Sequence, residues 1–301
     1  FYDLGDYDKS LAITKELMEQ IEDLDIYLAS KLLDLMDDNY GQLTMYPEQI
    51  DIREKKREMG IMESVAFYDI YSNLGMYRKA MDDYIANVKK NIEEDDFFGQ
   101  ADYYNHLGNF LRLDGSTPTA LSYYKKAKGY IDVYLESVTR RKSEKMLADS
   151  DLLKGVIEGN IGKCHVDLKQ YEEAIPFLES GIKKIKENSD RAYSSEITEN
   201  SLAISECYLQ LKNYEKATDY LSDNLQTSTT ENLLKKNRLL SLYYELTQDY
   251  KNSSHYLRRE IRIRDSISEN ESQLRQQQLS TVMMQNLKYS QDMVAAQKLA
   301  L

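Results

Sequence analysis

Apolar residues recur along this chain at helical intervals. Through Tyr104, Leu107 and Leu111, and again through Ala120, Tyr124 and Ala127, the steps are three and four residues, which lays one apolar stripe along each of two amphipathic helices. The break between them falls at 114–117, with Pro118 just beyond it, where a helix tolerates a residue that lacks an N–H. Proline occurs only at 47, 118 and 176, and no glycine follows Gly181, so the last 120 residues contain neither breaker. No Asn-Gly or Asp-Gly turn joins alternating β-branched runs; Asp114-Gly115 has flanks at helical spacing. The pattern predicts an all-α chain.

The helices repeat as a unit. A small residue stands three places after an aromatic in Tyr77-Arg-Lys-Ala80, Tyr171-Glu-Glu-Ala174 and Tyr214-Glu-Lys-Ala217, with looser copies at Tyr7, Tyr46, Thr117 and Tyr250. Pro47 and Pro118 each directly follow such a marker. The markers 7, 46, 77, 117, 171, 214 and 250 are separated by 39, 31, 40, 54, 43 and 36 residues. One helix pair needs about 34 residues, so most intervals hold one pair. The 54-residue interval is explained if the helix from 120 extends by two or three turns before the next pair begins near Asp151.

These residues resemble the tetratricopeptide repeat. Its signature places an aromatic, Leu-Gly and Tyr on the first helix, then Gly-x-Tyr-x-x-Ala, and an aromatic and Ala on the second. Tyr104, Leu107, Gly108, Gly115, Ala120, Tyr124 and Ala127 match it, and so do Ile161, Gly162, Tyr171, Ala174 and Leu178. Ser205 and Ser241 replace the first-helix glycine and Ser253 the small alanine, and the chain starts inside its first unit. The resemblance implies an α-solenoid of about six helix-turn-helix pairs, wound as a right-handed superhelix with a concave face, over 1–262. A capping or connecting helix follows over 263–301, where Leu279, Met283, Leu287 and Val294 mark one stripe. Two readings of it stay open: a cap over the last repeat, or a connection to a membrane span or effector module beyond Leu301.

The net charge of −12 disfavours a phosphate-backbone partner, so nucleic acid is not expected to bind this region. The one dense basic stretch, Arg258, Arg259, Arg262 and Arg264, has Glu260, Asp265 and Glu269 close by and reads as a solvated helix face. No run of 18 apolar residues occurs. Cys164 and Cys207 stand seven residues before consecutive markers; equivalent places in stacked pairs lie too far apart for a disulfide, so two buried free thiols are expected.

Candidate chemistry is sparse. His106, His165 and His255 fall in different repeats without metal-ligand spacing, and no serine sits on a Gly-x-Ser-x-Gly turn. Gly155, Gly159 and Gly162 come nearest to a phosphate loop, but their steps of four and three put them on one helix face, where they read as packing notches. No catalytic role, cofactor or metal is expected.

What remains is recognition. In the family the concave side is formed mostly by first helices, at places flanking Leu-Gly, which here selects Asp69, Asn73, Asn105, Asn109, Arg112, Asn160, Lys163, Glu206 and Arg238. Asn109 and Asn160 coincide with asparagines that peptide-binding members use on an extended chain. Asn105, Glu199 and Ala203 stand where those members carry basic residues, which argues against a terminal-carboxylate clamp. The expected function is therefore a non-catalytic protein- or peptide-binding module. By architecture it resembles the sensor region of a larger bacterial signalling protein, extracytoplasmic and ahead of a membrane span. The alternatives are a cytoplasmic peptide-responsive regulator and an adaptor or assembly scaffold.

Overall fold

The computed structural model describes residues 1–301 apart from 63, 142–143, 190–193, 222–228, 267–276, 286, 289–290 and 292–301. The helices are α1 (Tyr7–Met18), α2 (Ile26–Gln42), α3 (Tyr46–Glu58), α4 (Tyr68–Asn73), α5 (Tyr77–Val88), α6 (Phe97–Leu113) and α7 (Thr117–Arg141). They continue with α8 (Glu144–Asp167), α9 (Tyr171–Asn188), α10 (Ser194–Gln210), α11 (Tyr214–Tyr220), α12 (Thr230–Leu246) and α13 (Tyr250–Ser266). Among the described residues there is no strand, and the architecture is an all-α helical repeat.

Each of the seven markers opens a helix: Tyr7, Tyr46, Tyr77, Thr117, Tyr171, Tyr214 and Tyr250 begin α1, α3, α5, α7, α9, α11 and α13. The cause is one turn made seven times. Two places before each marker stands a left-handed residue, Gly5, Thr44, Gly75, Gly115, Lys169, Lys212 or Gln248, with φ between 56° and 82°. That conformation turns the next amide back to the carbonyl five residues earlier. Met45, Met76, Ser116, Gln170, Asn213 and Asp249 all donate there at 2.8 Å, the six-to-one bond that closes a helix C-terminus. The small residue after the marker then donates to the carbonyl four back, as Ala80 does to Met76, Ala120 to Ser116 and Ala217 to Asn213. Four of the seven left-handed places hold a side chain, at a cost of about 1 kcal/mol each.

By contact the chain divides into two compact units, Phe1–Asn87 with Glu269–Leu301, and Val88–Ser268. In the first, Leu11, Leu32, Leu33, Met36, Tyr40 and Ile52 form the core. Beside it Arg53 of α3 joins three segments. Its Nε donates to Asp37 of α2 at 2.9 Å, and Nη1 donates to the Ala66 carbonyl at 2.7 Å. Nη1 and Nη2 each donate to one oxygen of Asp69 at 2.6 Å. Lys56 adds ion pairs to Asp34 at 2.9 Å and Asp37 at 3.3 Å.

The helical stretch over 277–285 belongs to this first unit. Gln278 Nε2 donates to the Thr44 carbonyl at 2.8 Å, and Gln285 Nε2 to Asp51 Oδ1 at 2.8 Å. Val282 between them is fully buried, whereas Met283 and Leu287 are exposed. The contacting face thus centres on buried Val282 between half-buried Gln278 and Gln285, one step around the helix from the stripe expected at 279, 283 and 287. The difference arises because two glutamines reach backbone and carboxylate acceptors that an apolar count ignores. Val294 lies outside the described residues.

Asp83 of α5 accepts the Phe67 amide at 2.7 Å. Burial raises its pKa against the lowering effect of the Phe67 and Tyr68 amides, with Asp69 adding to the rise. A carboxyl that binds its proton more tightly when folded adds stability below its unfolded pKa and loses it as pH rises through the folded value. Urea midpoints of wild type and Asp83→Asn, compared from about pH 7 to about pH 4, should therefore diverge in favour of wild type toward acid. A constant difference would remove this role for Asp83.

In the second unit α6–α7, α8–α9, α10–α11 and α12–α13 form four pairs, and each of α6, α8 and α10 also touches the next first helix. Close approach inside each pair rests on one position of the first helix. A Cβ at Gly108 would stand 2.6 Å from the Tyr124 ring; one at Gly162 would meet Leu178 at 2.5 Å and the Ala174 carbonyl at 3.1 Å. In the next two pairs the same place holds a serine that bonds to what the glycine merely approaches. Ser205 Oγ donates to the Ala217 carbonyl and Ser241 Oγ to the Ser253 carbonyl, both at 3.0 Å. The departures from the glycine signature are therefore compatible with the same hairpin.

The sequence placed the start of the α8–α9 pair near Asp151, but α8 begins at Glu144. Residues 144–150 contain no glycine or proline, so nothing stops the helix from starting earlier. Cys164 and Cys207 are free and buried, and burial pushes both thiols up to about 12.

Candidate functional site

The sequence-selected residues on the second unit lie on four consecutive first helices: Asn105, Asn109 and Arg112 on α6, Asn160 and Lys163 on α8, Glu206 on α10 and Arg238 on α12. They share this face because each is placed by the same Leu-Gly position within its repeat. Asp69 and Asn73 lie on α4 of the first unit, where Asp69 is held by the Arg53 fork.

Most of these side chains are engaged with a neighbouring helix. Asn160 Nδ2 donates to Asn105 Oδ1 at 3.0 Å and more weakly to Asn109 Oδ1 at 3.3 Å. The same Asn109 oxygen accepts the Tyr124 hydroxyl at 2.7 Å, so α6, α7 and α8 meet at one buried amide cluster. Burial pushes the Tyr124 phenol well up, which keeps it a neutral donor. Asn105 and Asn160 are buried and act as spacers in the seam between first helices.

The charged members form a ladder, one rung for each contact between first helices. Arg112 Nε donates to Asp167 Oδ2 at 2.8 Å between α6 and α8. Lys163 pairs with Glu199 at 2.8 Å between α8 and α10, and Glu206 with Lys235 at 3.1 Å between α10 and α12. Burial by itself would push the Glu199 carboxyl up, but the Lys163 ammonium beside it holds it below the ordinary range. Asp167, Glu199 and Lys235 complete the rungs and were not among the sequence candidates. Their only sequence signal is a charge opposite to a candidate on the next first helix.

Arg238 differs from the rest. It is exposed on α12, and among the described residues it has no hydrogen bond or ion pair. It borders an open cleft of about 700 Å³ between α10, α12 and α13, together with Glu206, Leu242, Glu245, Tyr250 and Leu257. Such a surface, lined by charged, hydroxyl and apolar side chains together, can hold a segment by its side chains and backbone. No cluster of His, Cys, Asp or Glu among the described residues could hold a metal ion, and none of the described helices is long and apolar enough to cross a membrane.

A family model, the tetratricopeptide repeat, matches residues 159–183. That segment holds Gly159, Gly162, the left-handed Lys169 and the Tyr171 marker, and it spans the hairpin of α8 and α9. The α8–α9 hairpin is a tetratricopeptide repeat. No curated protein matches the chain. Among solved structures, that of BtubC (BKLC) from P. vanneervenii aligns over 87% of this chain and 92% of that one, at 13% identity and a TM-score of 0.44. The apo form of RapI aligns over 92% of this chain and 82% of that one, at 17% identity and a TM-score of 0.48. Both superpositions are too loose to transfer a function. Repeats of this type are typically non-catalytic, and the match supports a protein-binding repeat module.

Proposed function

We propose that the first-helix face of the second unit binds a peptide or a protein loop, and that this chain is the ligand-recognition region of a larger bacterial signalling or regulatory protein. The observation that carries the binding reading is the charged ladder running Arg112–Asp167, Lys163–Glu199 and Glu206–Lys235 toward the unpaired Arg238. Paired groups at a partly exposed seam offer a fixed pattern of donors and acceptors, and Arg238 supplies a cation not already spent on a neighbour. Asn105 and Asn160 fit a supporting role, because their amides are buried in the seam.

Peptides selected from a displayed random library against the intact chain provide the test. Their affinities would be measured by titration against wild type, Arg112→Ala and Arg238→Glu, with helicity checked by circular dichroism. Losses of roughly tenfold are expected for a peptide that uses one of these cations. Selected peptides that bind both variants as well as wild type would place recognition elsewhere on the chain.

A further inference from the structure

The outer face of α13 carries a row of cations that the ladder does not use. Lys251, His255, Arg258 and Arg262 stand at i, i+4, i+7 and i+11, so they share one helix face, with Arg259 beside them. The row is about 17 Å long at 1.5 Å per residue. All five are exposed, and none has a hydrogen bond or ion pair among the described residues. They line a shallow cleft of about 830 Å³ with Tyr250 and Ser254, and among the described residues no carboxylate lines it.

Five other cations of the second unit are placed differently. Arg112, Lys154, Lys163, Lys184 and Lys235 each meet a carboxylate from another helix, at distances of 2.7 to 3.1 Å. A second row lies one residue away on α13, where Tyr250, Leu257 and Ile261 are exposed. The two rows together are the mirror of an amphipathic helix that carries acids along one edge of its apolar stripe.

We propose that the outer face of α13 docks an acidic amphipathic helix of a partner protein, its carboxylates paired with Lys251, Arg258, Arg259 and Arg262 and its apolar stripe laid on Leu257 and Ile261. A narrow helix suits the site better than a broad anionic surface. Exposed Glu245 and Asp265 flank the row, and a bilayer would have to bring its own negative charge against them. A long nucleic acid meets the same obstacle from the net charge of −12, and the row offers few rings for bases to stack on. Leu257 also borders the cleft beside Arg238, but Lys251, Arg258, Arg259 and Arg262 do not, so substitutions at these cations test the α13 face apart from the first-helix face.

The probe is a fluorescent helical peptide with glutamates at i, i+4, i+7 and i+11 and leucines on the adjoining stripe, beside the same peptide with glutamines. Fluorescence anisotropy on the intact chain should show the glutamate peptide bound about tenfold more tightly, with the preference shrinking as salt rises. The double variant Arg258→Glu/Arg262→Glu, altered only at exposed positions, should lose the preference and acquire one for a lysine peptide. Arg112→Ala should leave it intact. The proposal is overturned if the double variant binds the glutamate peptide like wild type, or if Arg112→Ala abolishes binding instead. Wild type that ignores the peptide but binds phosphatidylserine vesicles or a single-stranded oligonucleotide through the same arginines would overturn it too.

Discussion

Arg53→Ala is expected to lower the unfolding free energy of the first unit by about 3 kcal/mol, the scale of breaking a buried pair from one side. The Arg53 and Asp37 side chains are only 15% and 13% exposed, so removing the guanidinium leaves a carboxylate in poor solvent. It also strips the Ala66 carbonyl of its donor and releases the 66–69 segment that leads into α4. The Asp69 contact itself adds little to that figure, since Asp69 is 41% exposed and water screens it. Arg53→Lys should recover part of the loss, because it restores the charge without the planar fork that meets two carboxylates and a carbonyl together. Amide exchange across 46–58 and 68–73 in the intact chain reads the effect where it arises. Protection that falls by less than about 0.5 kcal/mol would mean that the network contributes no more than a surface pair.

Gly181→Ala should destabilise the α8–α9 hairpin by about 2 kcal/mol, although alanine is by propensity the better helix former by about 1 kcal/mol. A Cβ at Gly181 would stand 2.8 Å from the Gly155 carbonyl oxygen and 3.0 Å from the Gly159 nitrogen. Those atoms are backbone of the facing helix and cannot turn aside as a side chain would, so the helices must separate along the crossing. Gly129→Ala supplies the opposite sign in the same unit. That glycine is exposed on α7 with nothing within 4 Å of its missing Cβ, so alanine there should add about 0.5–1 kcal/mol. Thermal melts of the two variants should move the midpoint down by roughly 4–8 °C for Gly181→Ala and up by a few degrees for Gly129→Ala. If both rise, propensity outweighs packing and the crossing is looser than these distances imply.

The same contrast runs through the candidate site. The repeat signature placed Asn105, Asn109, Arg112, Asn160, Lys163, Glu206 and Arg238 on successive first helices, because the Leu-Gly position fixes which way a neighbouring residue points. It could not tell which of them would be taken by each other. Asn105 and Asn160 hydrogen-bond across 55 residues, as do Arg112 and Asp167, and Lys163 reaches Glu199 across 36. On α4 the expected ligand residue Asp69 is bound at both oxygens by Arg53. Arg238 alone of the charged candidates on the second unit is left unengaged among the described residues.

The sequence by itself determined where the second helix of each pair begins. Each start depends on a turn whose bonds span no more than five residues: a left-handed residue two places before the marker, then a small residue three places after it. A chain segment carries that chemistry wherever it sits, so all seven markers could be read one at a time. The tertiary structure decided what the helices do with their polar residues. It set Arg53 between Asp37 and Asp69, turned Val282 inward in place of Met283, and left Lys251, Arg258, Arg259 and Arg262 open while pairing Arg112, Lys154, Lys163, Lys184 and Lys235. Those outcomes depend on distances between segments far apart in the chain, and charge or amide groups are promiscuous enough that many partners would satisfy each. Only packing brings one of them within 3 Å.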